Sequence, residues 1–87
     1  MKIEIKNSFI KEVRKYSGEI KVKIEKLISL VEQVNSLADI NDCKKLQGFH
    51  NYYRIRLGNF RVGIKYQNDK VYFVRFLSRG DFYKYFP

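Results

Sequence analysis

The sequence predicts an α+β fold: a short N-terminal strand, a helical hairpin, then a three-stranded antiparallel meander. Three observations carry that prediction. Residues 2–6 alternate Ile3 and Ile5 with Lys2, Glu4 and Lys6, the period of a strand. Ile20, Ile24, Leu27, Ile28, Val31 and Val34 recur at three and four residues, the apolar stripe of an amphipathic helix. Residues 52–66 form two alternating runs around Gly58-Asn59, a strong short-range hairpin signal.

After the first strand, Asn7 or Ser8 is expected to cap a helix running to about Tyr16, with Phe9, Ile10, Val13 and Tyr16 on one side. Ser17-Gly18 interrupts it, and the longer striped helix runs from Glu19 to about Leu37. Residues 38–48 read as a connector, because their Asn and Asp residues favour turns. A two-residue loop at Gly58-Asn59 sets Leu57 against Phe60, Arg56 against Arg61, Ile55 against Val62 and Arg54 against Gly63. Cross-strand partners share a face. One face of the hairpin then carries Tyr53, Ile55, Leu57, Phe60, Val62 and Ile64, and the other carries Tyr52, Arg54, Arg56, Arg61 and Lys65.

The third strand of the meander is expected from about Val71 to Leu77, after a turn at Asn68-Asp69-Lys70. A two-residue turn would place Arg75 on the oily face. A three-residue turn would set Tyr72, Val74 and Phe76 against the core and Arg75 with the other cations. The second is preferred, because burying an unpaired arginine is costly. The tail from Ser78 to Pro87 is expected to make one helical turn, with Phe82 or Phe86 packing inward. If the first strand joins the sheet, four strands are covered on one face by the helices, and the opposite face is open and basic.

Eighty-seven residues make one small domain, 1–87, and 45% apolar residues with seven Phe and seven Tyr suffice for its core. No apolar run approaches the roughly 20 residues needed to span a membrane. The first residues lack the apolar stretch of a signal peptide, so a cytoplasmic location and no membrane partner are expected. Cys43 is the only cysteine, which excludes an internal disulfide, and with one histidine in the chain neither a metal site nor a cofactor is expected. Gly-rich phosphate loops, G-x-S-x-G and H-E-x-x-H are all absent.

The net charge of +9 is concentrated in one half of the chain. Residues 1–43 hold eight Lys and Arg against seven Asp and Glu, whereas residues 44–87 hold ten against two. That asymmetry points to a polyanionic or acidic partner. Arginine forks bind phosphate oxygens at two points and can stabilise charge growing in a transition state. Tyrosine and histidine offer planar surfaces for unpaired bases. The basic face therefore suits single-stranded RNA or another phosphodiester. His50 has a pKa suited to a general base, although a lone histidine ahead of a strand is more often a surface residue. Lys44 and Lys45 read as general attraction for RNA, and Lys65 belongs to the cationic face.

Lys45-Leu46-x-Gly48, the hairpin Tyr53-Arg54-Ile55-Arg56-Leu57-Gly58-Asn59-Phe60-Arg61-Val62, and Ser78-Arg79-x-Asp81-x-Tyr83 closely resemble the RelE/ParE superfamily of bacterial toxins. These are the toxin halves of type II toxin–antitoxin modules. The resemblance covers nearly the whole chain, and its RelE-like branch implies an endoribonuclease that cuts mRNA on the ribosome. It implies catalytic roles for Arg61 on the phosphate, Arg79 at the leaving 5′-oxygen and Tyr83 in orienting the substrate or activating the 2′-hydroxyl. Arg54 and Arg56 match the family's basic positions on the hairpin, and Lys45, His50 and Lys65 join them as expected RNA contacts. The implied reaction is attack of the ribose 2′-hydroxyl on its own phosphate, giving 2′,3′-cyclic phosphate and 5′-hydroxyl ends without a metal. Where the family has lysines able to act as a base, this chain has arginines, which stay protonated. The expected partners are mRNA, the ribosome and an antitoxin with an acidic, partly disordered segment. Two alternatives stand beside this reading: a ParE-like inhibitor that binds DNA gyrase, and an inactive member that only binds its antitoxin.

Overall fold

The computed structural model describes residues 1–87. Strands β1 (Lys2–Ile5), β2 (Cys43–Lys45), β3 (Tyr52–Leu57), β4 (Phe60–Gln67) and β5 (Lys70–Ser78) form one sheet in the order β1-β5-β4-β3-β2. β1 runs parallel to β5 and the other pairings are antiparallel. Helices α1 (Asn7–Val13) and α2 (Glu19–Gln33) follow β1, and α3 (Arg79–Tyr85) follows β5. The α+β fold and the helical hairpin ahead of the meander are as expected. No helix is long and apolar enough to cross a membrane.

The core lies between the helical hairpin and one sheet face. Ile24, Leu27 and Val31 of α2 and Phe9 of α1 are buried against Ile55, Val62, Ile64, Val71, Phe73 and Phe76. Ile20, Ile28 and Val34 flank that set, so the predicted stripe is the buried one. β1 pairs only with Lys70–Phe73, which leaves the rest of β5 without a strand neighbour on that side. α1 covers the gap. Ser8 donates its hydroxyl to the Val74 carbonyl, and Glu12 accepts from the Phe76 backbone N–H at 2.9 Å. Unpaired strand groups are thereby satisfied by side chains. This also explains why Ser8 does not cap α1; the N-cap is Lys6, and no side chain caps the helix.

Several expectations need correction. α1 stops at Val13, short of Tyr16, and α2 stops at Gln33, short of Leu37, with a separate 3₁₀ turn at Leu37–Asp39. The connector contains the fifth strand, β2, which pairs with the free edge of β3. The β4–β5 turn has two residues, since Gln67 pairs with Lys70, and both Asn68 (φ 55°) and Asp69 (φ 59°) are left-handed. That is the signature of a tight hairpin turn with the strands' own twist. Val71 and Phe73, rather than Tyr72 and Val74, therefore enter the core. A register shift opposite Gly63/Ile64 adds one residue to β5, and beyond it Phe76 faces the core and Arg75 pairs with Gly63. The bulge does what the longer turn was expected to do, which is to keep Arg75 out of the core.

The largest correction concerns the face opposite the helical hairpin. It is not fully open, because the tail forms two turns of helix and lies across it. Phe82 is 0% exposed and Phe86 6%. Phe86 sits over Gly63, where a Cβ would come within 2.7 Å of its ring, and makes an edge contact with Tyr52 at 5.5 Å. The gap opposite Arg54 is the seat of Phe86. Arg75, beside it, donates to both Glu12 oxygens at 2.7–3.1 Å and to the Tyr85 carbonyl at 3.4 Å, linking α1 to α3.

Candidate phosphodiester-binding site

The hairpin turn sets the geometry of the site. Gly58 has φ 60° while Asn59 does not have a positive φ, the pattern of a type II′ turn. β3 and β4 consequently pair Leu57 with Phe60, Arg56 with Arg61, and Arg54 with Gly63. Arg54, Arg56 and Arg61 therefore share the face opposite the core. The Asn59 carbonyl accepts from the Arg79 backbone N–H at 2.9 Å, so the turn holds the start of α3. Ser78 caps that helix by accepting from the Asp81 N–H at 3.3 Å. Tyr83 lies one turn beyond Arg79 on the same side of α3.

Arg61 is the most enclosed of these groups, only 6% exposed. Its guanidinium donates to the Gly58 carbonyl at 3.0 Å and the Phe60 carbonyl at 2.9 Å, with no carboxylate partner. Burial lowers its pKa first, then the charges of Arg56, Arg54 and Arg79; Tyr83 acts in the opposite sense. Arg56 is the direct cross-strand partner of Arg61, Arg54 lies two residues back along β3, and Arg79 follows Ser78, the partner of Phe60. Even so lowered, an arginine stays charged at neutral pH. Arg56, Arg79 and Tyr83 are exposed, Tyr83 at 62%. Arg54 is half-buried and donates to the Asp42 carbonyl at 3.2 Å. The three ion pairs of the molecule engage Lys6, Lys70 and Arg75, so the cluster's cations are free of carboxylates.

Three of the residues expected at the site lie elsewhere. Lys45 pairs with Tyr53 and so shares the helix-covered side of the sheet, while its neighbour Lys44 pairs with Arg54 and faces the cluster. His50 is exposed in the β2–β3 loop, ahead of Tyr52, whereas Arg56 is at the far end of β3 with Arg61 opposite it on β4; the strand between spans about 13 Å. Lys65 is on the cluster's face but four residues along β4 from Arg61, about 13 Å away and beyond Phe86. The placement of Lys44 was hidden because a three-residue strand is too short to show alternation. The one histidine is thus remote from Arg61, and no carboxylate pairs with the arginines of the cluster.

The toxin RelE3 of Methanocaldococcus jannaschii is 42% identical over 88 residues, covering 100% of both chains. The chain belongs to the RelE toxin family. No family model matches it. The toxin of a RelB–RelE antitoxin–toxin complex from Methanococcus jannaschii superposes with TM-score 0.82 at 40% identity, covering 95% of this chain and 98% of that one. The Pyrococcus horikoshii RelE–RelB complex gives 0.75 at 19% identity, covering 91% and 94%, and the Escherichia coli DinJ–YafQ complex 0.72 at 18%, covering 93% and 96%. The last two share the fold. Within that RelE fold, this chain places its four unpaired arginines around the hairpin turn and the start of the terminal helix.

Proposed function

We propose that this RelE-family toxin is a metal-independent endoribonuclease that cleaves mRNA on the ribosome. The observation that supports it is the convergence of Arg54, Arg56, Arg61 and Arg79, none paired with a carboxylate, beside an exposed Tyr83. The ribose 2′-oxygen attacks the adjacent phosphorus and the bond from phosphorus to the 5′-oxygen breaks. The 2′-oxygen loses a proton and the departing 5′-oxygen gains one, leaving 2′,3′-cyclic phosphate and a 5′-hydroxyl. Arg61, fixed by two carbonyls in a poorly hydrated position, stabilises the charge that grows on the phosphoryl oxygens. Arg56 and Arg54 bind and position the phosphates, Arg79 stabilises the 5′-oxygen, and Tyr83 stacks on the base and orients the 2′-hydroxyl.

With arginines, which stay protonated, where a lysine base would stand, the rate rests on charge stabilisation and on alignment of the 2′-oxygen with the scissile bond. An open face carrying exposed Arg56, Arg79 and Tyr83 cannot impose that alignment alone. A ribosome holding the mRNA supplies it, which is why the substrate is assigned as ribosome-bound message. The same face suits an antitoxin with an acidic, partly disordered segment that folds over the arginines; the similar RelE of Methanococcus jannaschii was solved with RelB.

Incubating programmed ribosomes with the purified wild type, Arg61→Ala and Arg79→Ala, then mapping RNA ends, tests the assignment. Removing Arg61 is expected to slow cleavage by about 10²–10³-fold, the usual loss for one transition-state donor. Cleavage unchanged by both substitutions would show the site to be wrong. Expression in cells that damages DNA and leaves message uncut would instead support gyrase binding.

A further inference from the structure

A second groove lies on the arginine face, beyond Phe86. Tyr52, Lys65 and Tyr72 are cross-strand partners in one row over β3, β4 and β5. Two strand spacings separate the tyrosine backbones, about 10 Å, with Lys65 between them. Lys6, Asn7, Ser8, Gln67 and Val74 complete the walls of a cavity of about 630 Å³, within the range of small-ligand sites. All three members of the row are partly exposed.

The groove is prearranged. The ammonium groups of Lys6 and Lys70 lie 5.0 and 5.3 Å from the centre of the Tyr72 ring, and both pair with Glu4, the partner of Tyr72 on β1, at 2.8 and 2.9 Å. Tyr52 is braced by Phe86 on one side, and Lys65 stands 5.7 Å from its ring centre. Glu4 thus engages both Lys6 and Lys70 and leaves that trio with a net charge of +1, while Lys65 has no carboxylate partner. The groove therefore stays cationic, and Lys65 is its unpaired ammonium between two aromatic rings. α3 covers the β4 and β5 side of the face, so Arg54 and Lys44 on the β3 side leave an uncovered cationic path from Arg56 to this groove.

The geometry points to a second nucleotide subsite: an unpaired base of single-stranded RNA stacks on Tyr72, displacing a lysine ammonium from its ring, while its phosphate is held by Lys65. Stacking on tyrosine suits any base, and an acidic peptide would gain nothing from the two rings. The subsite rests on the RNA reading of the arginine cluster and extends it by naming where the strand goes next. A substrate must therefore be several nucleotides long to use both ends of the face.

Fluorescence anisotropy with 2′-O-methyl RNA, which binds without being cut, tests this on the full chain. A trinucleotide and a twelve-nucleotide strand are compared on the wild type, Tyr72→Leu, Tyr72→Phe and Lys65→Gln, each checked for unchanged thermal unfolding. Tyr72→Leu is expected to weaken the twelve-mer by about tenfold, as loss of one stacked base does, while Tyr72→Phe retains it. Lys65→Gln is expected to weaken the twelve-mer and flatten its salt dependence, and trinucleotide affinity stays the same throughout. Equal affinities of all four proteins for the twelve-mer, equal losses on both lengths, or no twelve-mer binding by the wild type would overturn the subsite. If a glutamate-rich peptide loses affinity with Tyr72→Leu while the twelve-mer does not, the groove is a peptide site and the RNA assignment is overturned. Intact length-dependent binding with no cleavage on ribosomes would sink the nuclease reading alone.

Discussion

Replacing Gly63 by alanine is expected to loosen α3 and weaken the site while leaving the helix-covered core in place. The new Cβ would lie 2.7 Å from Cε1 of Phe86 and 2.8 Å from its Cδ1 and Cζ. Gly63 does not have a positive φ, so the cost is steric alone. Phe86 is boxed by Tyr52 at 5.5 Å and Phe82 at 5.1 Å and cannot slide sideways freely. If the ring stays, overpacking costs about 1–3 kcal/mol. If it swings out, the chain forfeits the burial of one phenylalanine, about 1.5–3 kcal/mol. The cheaper route sets the loss, which is therefore capped at about 3 kcal/mol. In a domain of this size each kcal/mol lowers Tm by about 4–8 °C.

Gly80 provides the opposite sign from the same change. Nothing lies within 4 Å of a Cβ there, and the residue is inside α3. Alanine is the better helix former by up to about 1 kcal/mol, so Gly80→Ala should raise Tm slightly. Thermal unfolding and ribosome cleavage are measured on both variants. Cleavage is expected to fall in Gly63→Ala, because Tyr83 rides on the loosened helix, while Arg79 remains tied to Asn59 by its backbone. A Gly63→Ala protein as stable and as active as the wild type would show that Phe86 is not seated on the strand. A destabilised Gly80→Ala would show that α3 is not a helix in solution.

Two further outcomes are expected. Burial pushes the Cys43 thiol up to about 11, against the opposing pull of Arg54, so alkylation near pH 8 should run about a hundredfold slower than in the unfolded chain. Because the folded state keeps that proton longer than the unfolded one, its contribution to stability is complete below about pH 9 and erodes from there to about pH 11, which denaturant titrations at successive pH values would show. Lys44→Ala should weaken RNA binding and reduce its salt slope by about one, and Lys45→Ala should do neither; equal effects from the two, measured by anisotropy at several salt concentrations, would contradict the register of β2.

The hairpin was legible because its signals agree: a Gly-Asn loop, two clean alternations, and a register that puts every cation of the pair on one side. The bulge in β5 was not legible, although its cause was. Keeping Arg75 out of the core could be met by a longer turn or by an added strand residue, and the left-handed tolerance of Asn68 and Asp69 favoured the shorter turn. β2 exists because β3 offers it a free edge, a tertiary fact that Cys43-Lys44-Lys45 cannot announce alone. The seating of α3 had a signal that went unused. Glycine inside a strand often marks a close approach of another group, and Phe82 and Phe86, four residues apart, are spaced to bury one helical side.

The site also explains how the fold tolerates its own repulsion. Arg56 and Arg61 face each other directly across the hairpin, an arrangement that weakens a sheet. The opposite face of the same residues' neighbours compensates: Ile55, Val62 and Ile64 are 0–2% exposed in the core. Carbonyls of the turn hold the Arg61 guanidinium without cancelling its charge, and Arg79 is drawn in by the Asn59 carbonyl instead of by a carboxylate. The contacts that hold the Arg54 and Arg61 side chains are to neutral carbonyls, so the cluster keeps its full charge. An anion that enters it gains attraction from four guanidinium groups and also relieves their mutual repulsion. A phosphodiester and an acidic antitoxin segment would draw on that same energy and could not draw on it together. If the arginines carry the proposed cleavage, an antitoxin that occupies them would inhibit by competing directly with the phosphodiester.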